Sequence, residues 1–144
     1  MEIWKDIEGF EGIYQVSNLG RVKSLSRVVR GPRRGFRSVR ERILKYRITS
    51  KGYALVQLCK PKVQQQVLVH RLVAQAFIPN PLGLKLVNHK DENPLNCQVE
   101  NLEWCTHKYN SNYGTFPERQ RKYAKEHPRY RNPITGKFES KRSL

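Results

Sequence analysis

The side chains best suited to acid–base or metal chemistry are crowded into one stretch. Between Leu84 and Asn112 the chain reads LKLVNHKDENPLNCQVENLEWCTHKYNSN, with His89 and His107 set among six asparagines. An imidazole with an unperturbed pKa of about 6.5 is free to accept a proton near neutrality. The three cysteines, Cys59, Cys97 and Cys105, are odd in number and widely spaced, which does not suggest a disulfide framework. A zinc site from Cys97, Cys105, His107 and His89 is conceivable. The paired C-x2-C that usually seeds such sites is missing, so buried or half-buried thiols are the better reading.

A second chemistry is written in the charge. The 144 residues carry a formal net charge of +16, and self-repulsion of that size points to a polyanionic partner, nucleic acid above all. The excess is uneven: residues 1–20 hold −3, 21–51 hold +11, 52–110 hold +2 and 111–144 hold +6. Within RVVRGPRRGFRSVRER, seven of sixteen residues are arginine. Arginine suits bidentate contact with phosphate and with guanine edges, so Arg27, Arg30, Arg33, Arg34, Arg37 and Arg40 are read as a DNA-contacting arm, with Arg119, Arg121 and Lys122 extending it. No apolar run approaches the roughly 20 residues of a membrane span, and MEIWKDIEGF does not look like a signal peptide. The expectation is a soluble, cytosolic protein with no membrane partner.

The elements that must position these groups follow from periodicity. IYQVSN and RVKSLS alternate around Leu19-Gly20, a hairpin with Ile13, Val16, Val22 and Leu25 inward. Residues 29–40, with Gly31, Pro32 and Gly35, read as a mobile loop. RILKYRI and YALVQLC form a second strand pair around Thr49–Gly52, so residues 1–60 are expected to be a small antiparallel sheet. In VLVHRLVAQAF the apolar positions Val69, Leu72, Val73, Ala76 and Phe77 have helical spacing, and Pro79-Asn80-Pro81 stops that helix. Two short strands, LKLVNH and NLEWC, then flank a polar loop. Thr106 can cap a helix from His107 to about Gly114. PERQRKYAKEH reads as a basic helix and RYRNPITGKFES as a hairpin. The fold class is α+β.

Three linked motifs, VHRLVAQAF (69–77), LVNHKDEN (86–93) and VENLEWCTHKYN (99–110), resemble the HNH homing-endonuclease family in its phage and intron-associated branch. WKDIEGFEGIYQVSNLGRVKSLSR (4–27) is similar to the modular segment that often precedes that nuclease domain. The resemblance implies a ββα-metal unit over 61–114, after a DNA-contacting segment 1–60 and before a basic extension 115–144. It implies a metal-dependent DNA endonuclease in which His89 is the general base, Asn101 orients that base, and Asn88 and Asn110 hold one divalent ion, Mg²⁺ or Mn²⁺. Many relatives carry Asp at the position of Asn88, and the namesake motif ends in His where this chain has Asn110. Two amides make a neutral pocket, which implies weak metal binding without DNA. The expected partner is double-stranded DNA, with no small-molecule cofactor, the protein being a monomer or weak dimer. A monomer with one site would nick, and the lack of room for a further DNA-reading domain implies relaxed specificity. A DNA-binding module without catalysis is the alternative. Other candidates have plainer readings. His70, mid-helix, would hold the helix to the site by a hydrogen bond just behind the catalytic groups. His107 and His127 would lie at the surface, Trp4 and Trp104 would anchor the core, Asn93 and Asn96 would satisfy turns, and Asp91 would shape its loop or pair with a cation.

Overall fold

The computed structural model describes residues 1–131 and 138–139. In chain order the strands of the first half are β1 (Trp4–Asp6), β2 (Tyr14–Ser17), β3 (Val22–Ser24), β4 (Arg27–Arg30), β5 (Phe36–Val39), β6 (Arg42–Ile43), β7 (Arg47–Ile48), β8 (Ala54–Lys60) and β9 (Val63–Leu68). Helix α1 (Val69–Phe77), strands β10 (Leu86–His89) and β11 (Leu102–Cys105), helices α2 (His107–Ser111) and α3 (Phe116–Glu126), and strands β12 (Tyr130–Arg131) and β13 (Phe138–Glu139) follow. The chain divides into two compact units, Met1–Thr106 and His107–Leu144.

The first unit holds four antiparallel sheets, ordered β1-β2-β3-β6, β4-β5, β7-β8-β9 and β10-β11. The expected single sheet over 1–60 is thus several small ones. The hairpin around Leu19-Gly20 forms, with Val16 opposite Val22 and both side chains buried. Ile13 and Leu25 are only half-buried, while Tyr14 takes an inward position. The stretch 29–40 is not a loop: Arg27–Arg30 pairs with Phe36–Val39 as a ribbon, closed by Gly31 N–H donating to the Gly35 carbonyl at 2.7 Å. Glycine and proline mark only its tip, whereas the β-branched and aromatic residues of RVVR and FRSV favour extended pairing. Strand β9 also went unread. Its polar VQQQ has no period-2 pattern, and what makes it a strand is pairing with β8 after a two-residue turn whose Lys62 has φ +63°.

Helix α1 buries Val69, Leu72 and Val73 as the spacing required, with Ala74 and His70 buried beside them and Ala76 and Phe77 packed at the edge. Its end at Phe77 agrees with the proline stop, and Asn80 braces the following turn by bonding both backbone groups of Leu84 at 2.8 Å. One core joins β2, β3, β8, α1 and β11 through Tyr14, Val16, Val22, Val56, Leu58, Val73, Cys97 and Leu102. Trp4 and Trp104 are half-buried. Trp104 donates its indole N–H to the Ile78 carbonyl at 3.1 Å, and Trp4 is covered by the Lys23 ammonium at 4.5 Å.

In the second unit, α2 begins at His107 and ends at Ser111, shorter than expected. The basic helix forms as α3, with Pro in its first turn. Tyr130–Arg131 pairs with Phe138–Glu139 as the expected hairpin requires, while its Asn132-Pro133 and Gly136 lie outside the described residues.

Gly20 welds the N-terminal hairpin to the rest. Its φ is +83°, and a Cβ placed there would lie 2.8 Å from Cys97 Cβ and 3.0 Å from the Cys97 carbonyl oxygen. Gly20→Ala should therefore destabilise the protein by about 2 kcal/mol or more, from backbone strain and overpacking together. Urea unfolding measures this, and an unchanged midpoint would contradict it.

Candidate active site

Strands β10 and β11 pair antiparallel, setting Asn88 opposite Glu103 and His89 opposite Leu102. The connecting loop is tied by Asp91. One carboxylate oxygen accepts from Asn93 N–H at 2.8 Å and from the Asn101 amide at 2.9 Å, and the other accepts from the Asn96 amide at 2.7 Å. Asn101 returns its side-chain oxygen to Asp91 N–H at 3.0 Å, donates again to the Asn96 carbonyl at 2.9 Å, and accepts Lys90 N–H on its own carbonyl at 2.8 Å. These bonds hold the Asp91 carboxyl below its ordinary pKa, the Asn96 amide contributing most, so it stays ionised. The His89 carbonyl accepts Glu92 N–H at 3.0 Å. The side chain of Asn101 thus acts on the loop that follows His89. Asn93 and Asn96 satisfy turns, as their types suggest, by accepting from Leu95 and Gln98 N–H.

His89 ends β10 at 6% exposure. The His70 ring, from α1, meets it at 4.9 Å between centroids with planes at 66°. Tyr53, just before β8, lies 5.9 Å from His89 and 5.2 Å from His70. His70 therefore reaches the site by ring packing: its Nδ1 is buried without a hydrogen-bond partner, and so is His89 Nε2. Burial pushes the His70 pKa down to about 3, helped by the positive charge that His89 carries when protonated and by that of Arg71. Burial also lowers that of His89, while the Asp91 carboxylate pulls it back up. Both rings are neutral near pH 7 as a result.

Beside His89, Asn88 is buried and donates its amide to Glu103 Oε1 at 2.8 Å. Amide and carboxylate oxygens are hard donors that fit Mg²⁺ or Mn²⁺, so this strand pair suits the implied ion. Among the described residues no group of three or more His, Cys, Asp or Glu side chains comes together to hold a metal. Cys97 and Cys105 are buried free thiols and Cys59 is half-buried. Burial raises the Cys97 pKa to about 11 and that of Cys105 as well.

Asn110 stands on α2, in the second unit. Arg30, Arg33, Arg34, Arg37 and Arg40 are exposed along the β4–β5 ribbon and its flank. Arg27 is turned to another task, donating to Ser24 Oγ at 2.8 Å and to the Leu25 carbonyl at 3.0 Å at the root of the ribbon. Arg119, Arg121 and Lys122 are exposed on α3, Lys122 pairing with Glu126 at 3.9 Å. His107 is exposed. His127, also exposed, stacks on Tyr123 at 4.3 Å. Sequence reasoning missed Tyr53 and Glu103 and left Asp91 undecided. Glu103 was readable once NLEWC was set opposite LVNH in antiparallel register. Tyr53 carried no such signal, since only packing brings it to the imidazoles.

Two segments of the chain match known families. Residues 2–59 match the NUMOD4 motif, and residues 67–112 match the HNH endonuclease family. The DNA endonuclease I-HmuI of Bacillus phage SP01 is 38% identical over 107 residues, covering 74% of this chain and 54% of that protein. An HNH endonuclease of Acanthamoeba polyphaga mimivirus is 37% identical over 110 residues, covering 76% of this chain and 29% of its own length. The chain thus spans about half or less of these relatives. A solved structure describing DNA binding and cleavage by I-HmuI superimposes with a TM-score of 0.60 at 34% identity, covering 87% of this chain and 68% of that one. With His89 ending the first strand of a tied β10–β11 hairpin and a NUMOD4 segment ahead of it, this chain belongs to the HNH homing endonuclease family.

Proposed function

We propose that the protein is a DNA endonuclease that hydrolyses phosphodiester bonds with His89 as general base and one divalent cation, Mg²⁺ or Mn²⁺, at Asn88. The observation that carries this reading is the placement of His89: an imidazole buried to 6% exposure at the end of β10, inside the stretch that matches the HNH family. Its Nε2 is shut off without a partner, so an attacking water is met at Nδ1. When that nitrogen takes the proton, the ionised Asp91 carboxylate offsets part of the new charge. Asn101 keeps Asp91 and the loop in place, which is how it orients the base. The bound cation would relieve charge on the scissile phosphate and the leaving 3′ oxygen. Asn88 would hold it through its amide oxygen, phosphate oxygens and water completing the shell. The role of Asn110 as the other ligand rests on the family pattern. The exposed arginines of the ribbon and the cations of α3 would grip the DNA backbone. One site per chain would nick a single strand.

Three outcomes follow. With Mg²⁺ or Mn²⁺, wild-type protein should convert supercoiled plasmid to open circles. His89→Ala should do so about 10²–10⁴-fold more slowly while still retarding the plasmid. Cutting by neither, with retardation by both, would leave a DNA-binding module without catalysis. Replacing Arg33, Arg34 and Arg37 by Ala should weaken duplex binding and flatten its salt dependence by about one unit of slope per lost phosphate contact, which filter binding at several salt concentrations would measure.

The third concerns stability. His70 has a folded pKa of about 3 against roughly 6.5 when unfolded, so between these values the unfolded chain binds the extra proton. Stability should then fall with acidification, by about 2 kcal/mol from His70 alone between about pH 7 and about pH 5. Urea melts across that range should show the loss, and His70→Phe should reduce it. An equal loss in both proteins would remove His70 as the cause.

A further inference from the structure

An amide in place of a carboxylate at position 88 leaves the cation with a weak hold unless charge comes from elsewhere. Directly across the hairpin, in register with Asn88, stands Glu103. Its Oε1 accepts the Asn88 amide N–H at 2.8 Å. An ionised carboxylate can only accept, so Asn88 must present its –NH₂ to Glu103 and turn its own oxygen away. The orientation of an amide, ordinarily ambiguous, is chemically settled here by its partner. The pair also carries one net negative charge. Two facing carboxylates at this spacing would repel each other in the absence of a cation, whereas an amide facing a carboxylate forms a stable bond in its absence and still offers oxygen when a cation arrives. Cross-strand pairs of this kind contribute to holding the hairpin itself.

We propose that Glu103 is the charge-supplying positioning residue of the cation site: through Asn88 it aims the amide oxygen at the ion, and its carboxylate provides the negative charge that a set of two amides lacks. This rests on the reading of the site as a divalent-cation nuclease centre and adds to it a residue outside the three-residue HNH pattern. Removing a group that orients a metal ligand typically costs roughly 10–100-fold in metal affinity or activity. Glu103 therefore explains how an amide at position 88 is compatible with a working site, and it links the second strand of the hairpin to metal binding as well as to folding.

The test is Mn²⁺ binding to the free protein, followed by paramagnetic broadening of amide signals in ¹H–¹⁵N spectra. The same spectra report whether each variant is folded. Wild type should broaden first at residues of β10 and β11. Glu103→Gln keeps an acceptor for Asn88 but removes the charge, and should weaken apparent Mn²⁺ affinity roughly 10–100-fold. Exchanging the two chemistries across the hairpin, Asn88→Asp with Glu103→Gln, restores one carboxylate facing one amide and should recover most of the lost affinity. If Glu103→Gln stays folded and binds Mn²⁺ like wild type, the inference is overturned and the nuclease reading stands. A folded exchange variant that recovers nothing also overturns it, whatever the single variant does. Absence of any Mn²⁺ response in wild type, with no cation-dependent nicking, would overturn both the inference and the reading it rests on.

Discussion

Two buried imidazoles pack against each other and against a half-buried phenol ring, and that space cannot hold two cations. His70 and His89 meet edge to face at 4.9 Å between centroids, with Tyr53 against both, and each histidine has a buried nitrogen without a partner. Taking a charged imidazolium out of water costs several kcal/mol unless it is paired, so the cluster holds its histidines neutral. Neutrality is also what a general base requires at the start of its cycle. The same packing that closes the core around α1, β8 and β10 thereby sets the protonation state of the site. Asp91 is the counterweight. Kept ionised by three side-chain and backbone donors, it favours the proton on His89 that burial disfavours.

The site and the N-terminal sheet are one body in physical terms, although they match two family descriptions. Val99 N–H donates to the Asn18 carbonyl at 2.9 Å, Gly20 lies against Cys97, and Tyr14 exchanges hydrogen bonds with the backbone of Cys59 at 3.2 and 3.1 Å. Lys5 reaches the Ala76 carbonyl at the end of α1 at 3.1 Å. Val16, Val22, Leu58, Val73 and Leu102 fill the space between. The ribbon of exposed arginines is rooted in this core through Arg27, whose guanidinium bonds to Ser24 and Leu25 and lies 5.4 Å over the Tyr14 ring. A cationic surface anchored this firmly presents its charges in a defined direction, which a freely moving tail of the same composition would not do.

Much of this organisation is legible in the residues alone. Helical spacing in VHRLVAQAF located α1 and its buried side, alternation around Leu19-Gly20 located the first hairpin, and the change from LVNH to NLEWC located β10 and β11. These segments are legible because each has one face that must be buried, and burial imposes a period. The stretch 29–40 was misread because Gly31, Pro32 and Gly35 dominate the local signal while the pairing partners lie outside it. Strand β9 was missed for a related reason: VQQQ has no buried face, so its structure comes wholly from the hydrogen bonds offered by β8.

By itself, the sequence determined which groups are available: a histidine ending a strand, amides before and after it, a surplus of arginine, and the order of elements that brings them together. Tertiary structure decided what those groups are. It made His89 and His70 neutral, because desolvation depends on what packs around a ring and not on its neighbours in the chain. It gave Asn88 a carboxylate partner in Glu103, 15 residues away, because register places opposite each other residues that no local pattern connects. It assigned Arg27 to the core's edge and left Arg30, Arg33, Arg34, Arg37 and Arg40 to the solvent, because only a folded ribbon has a root and a tip.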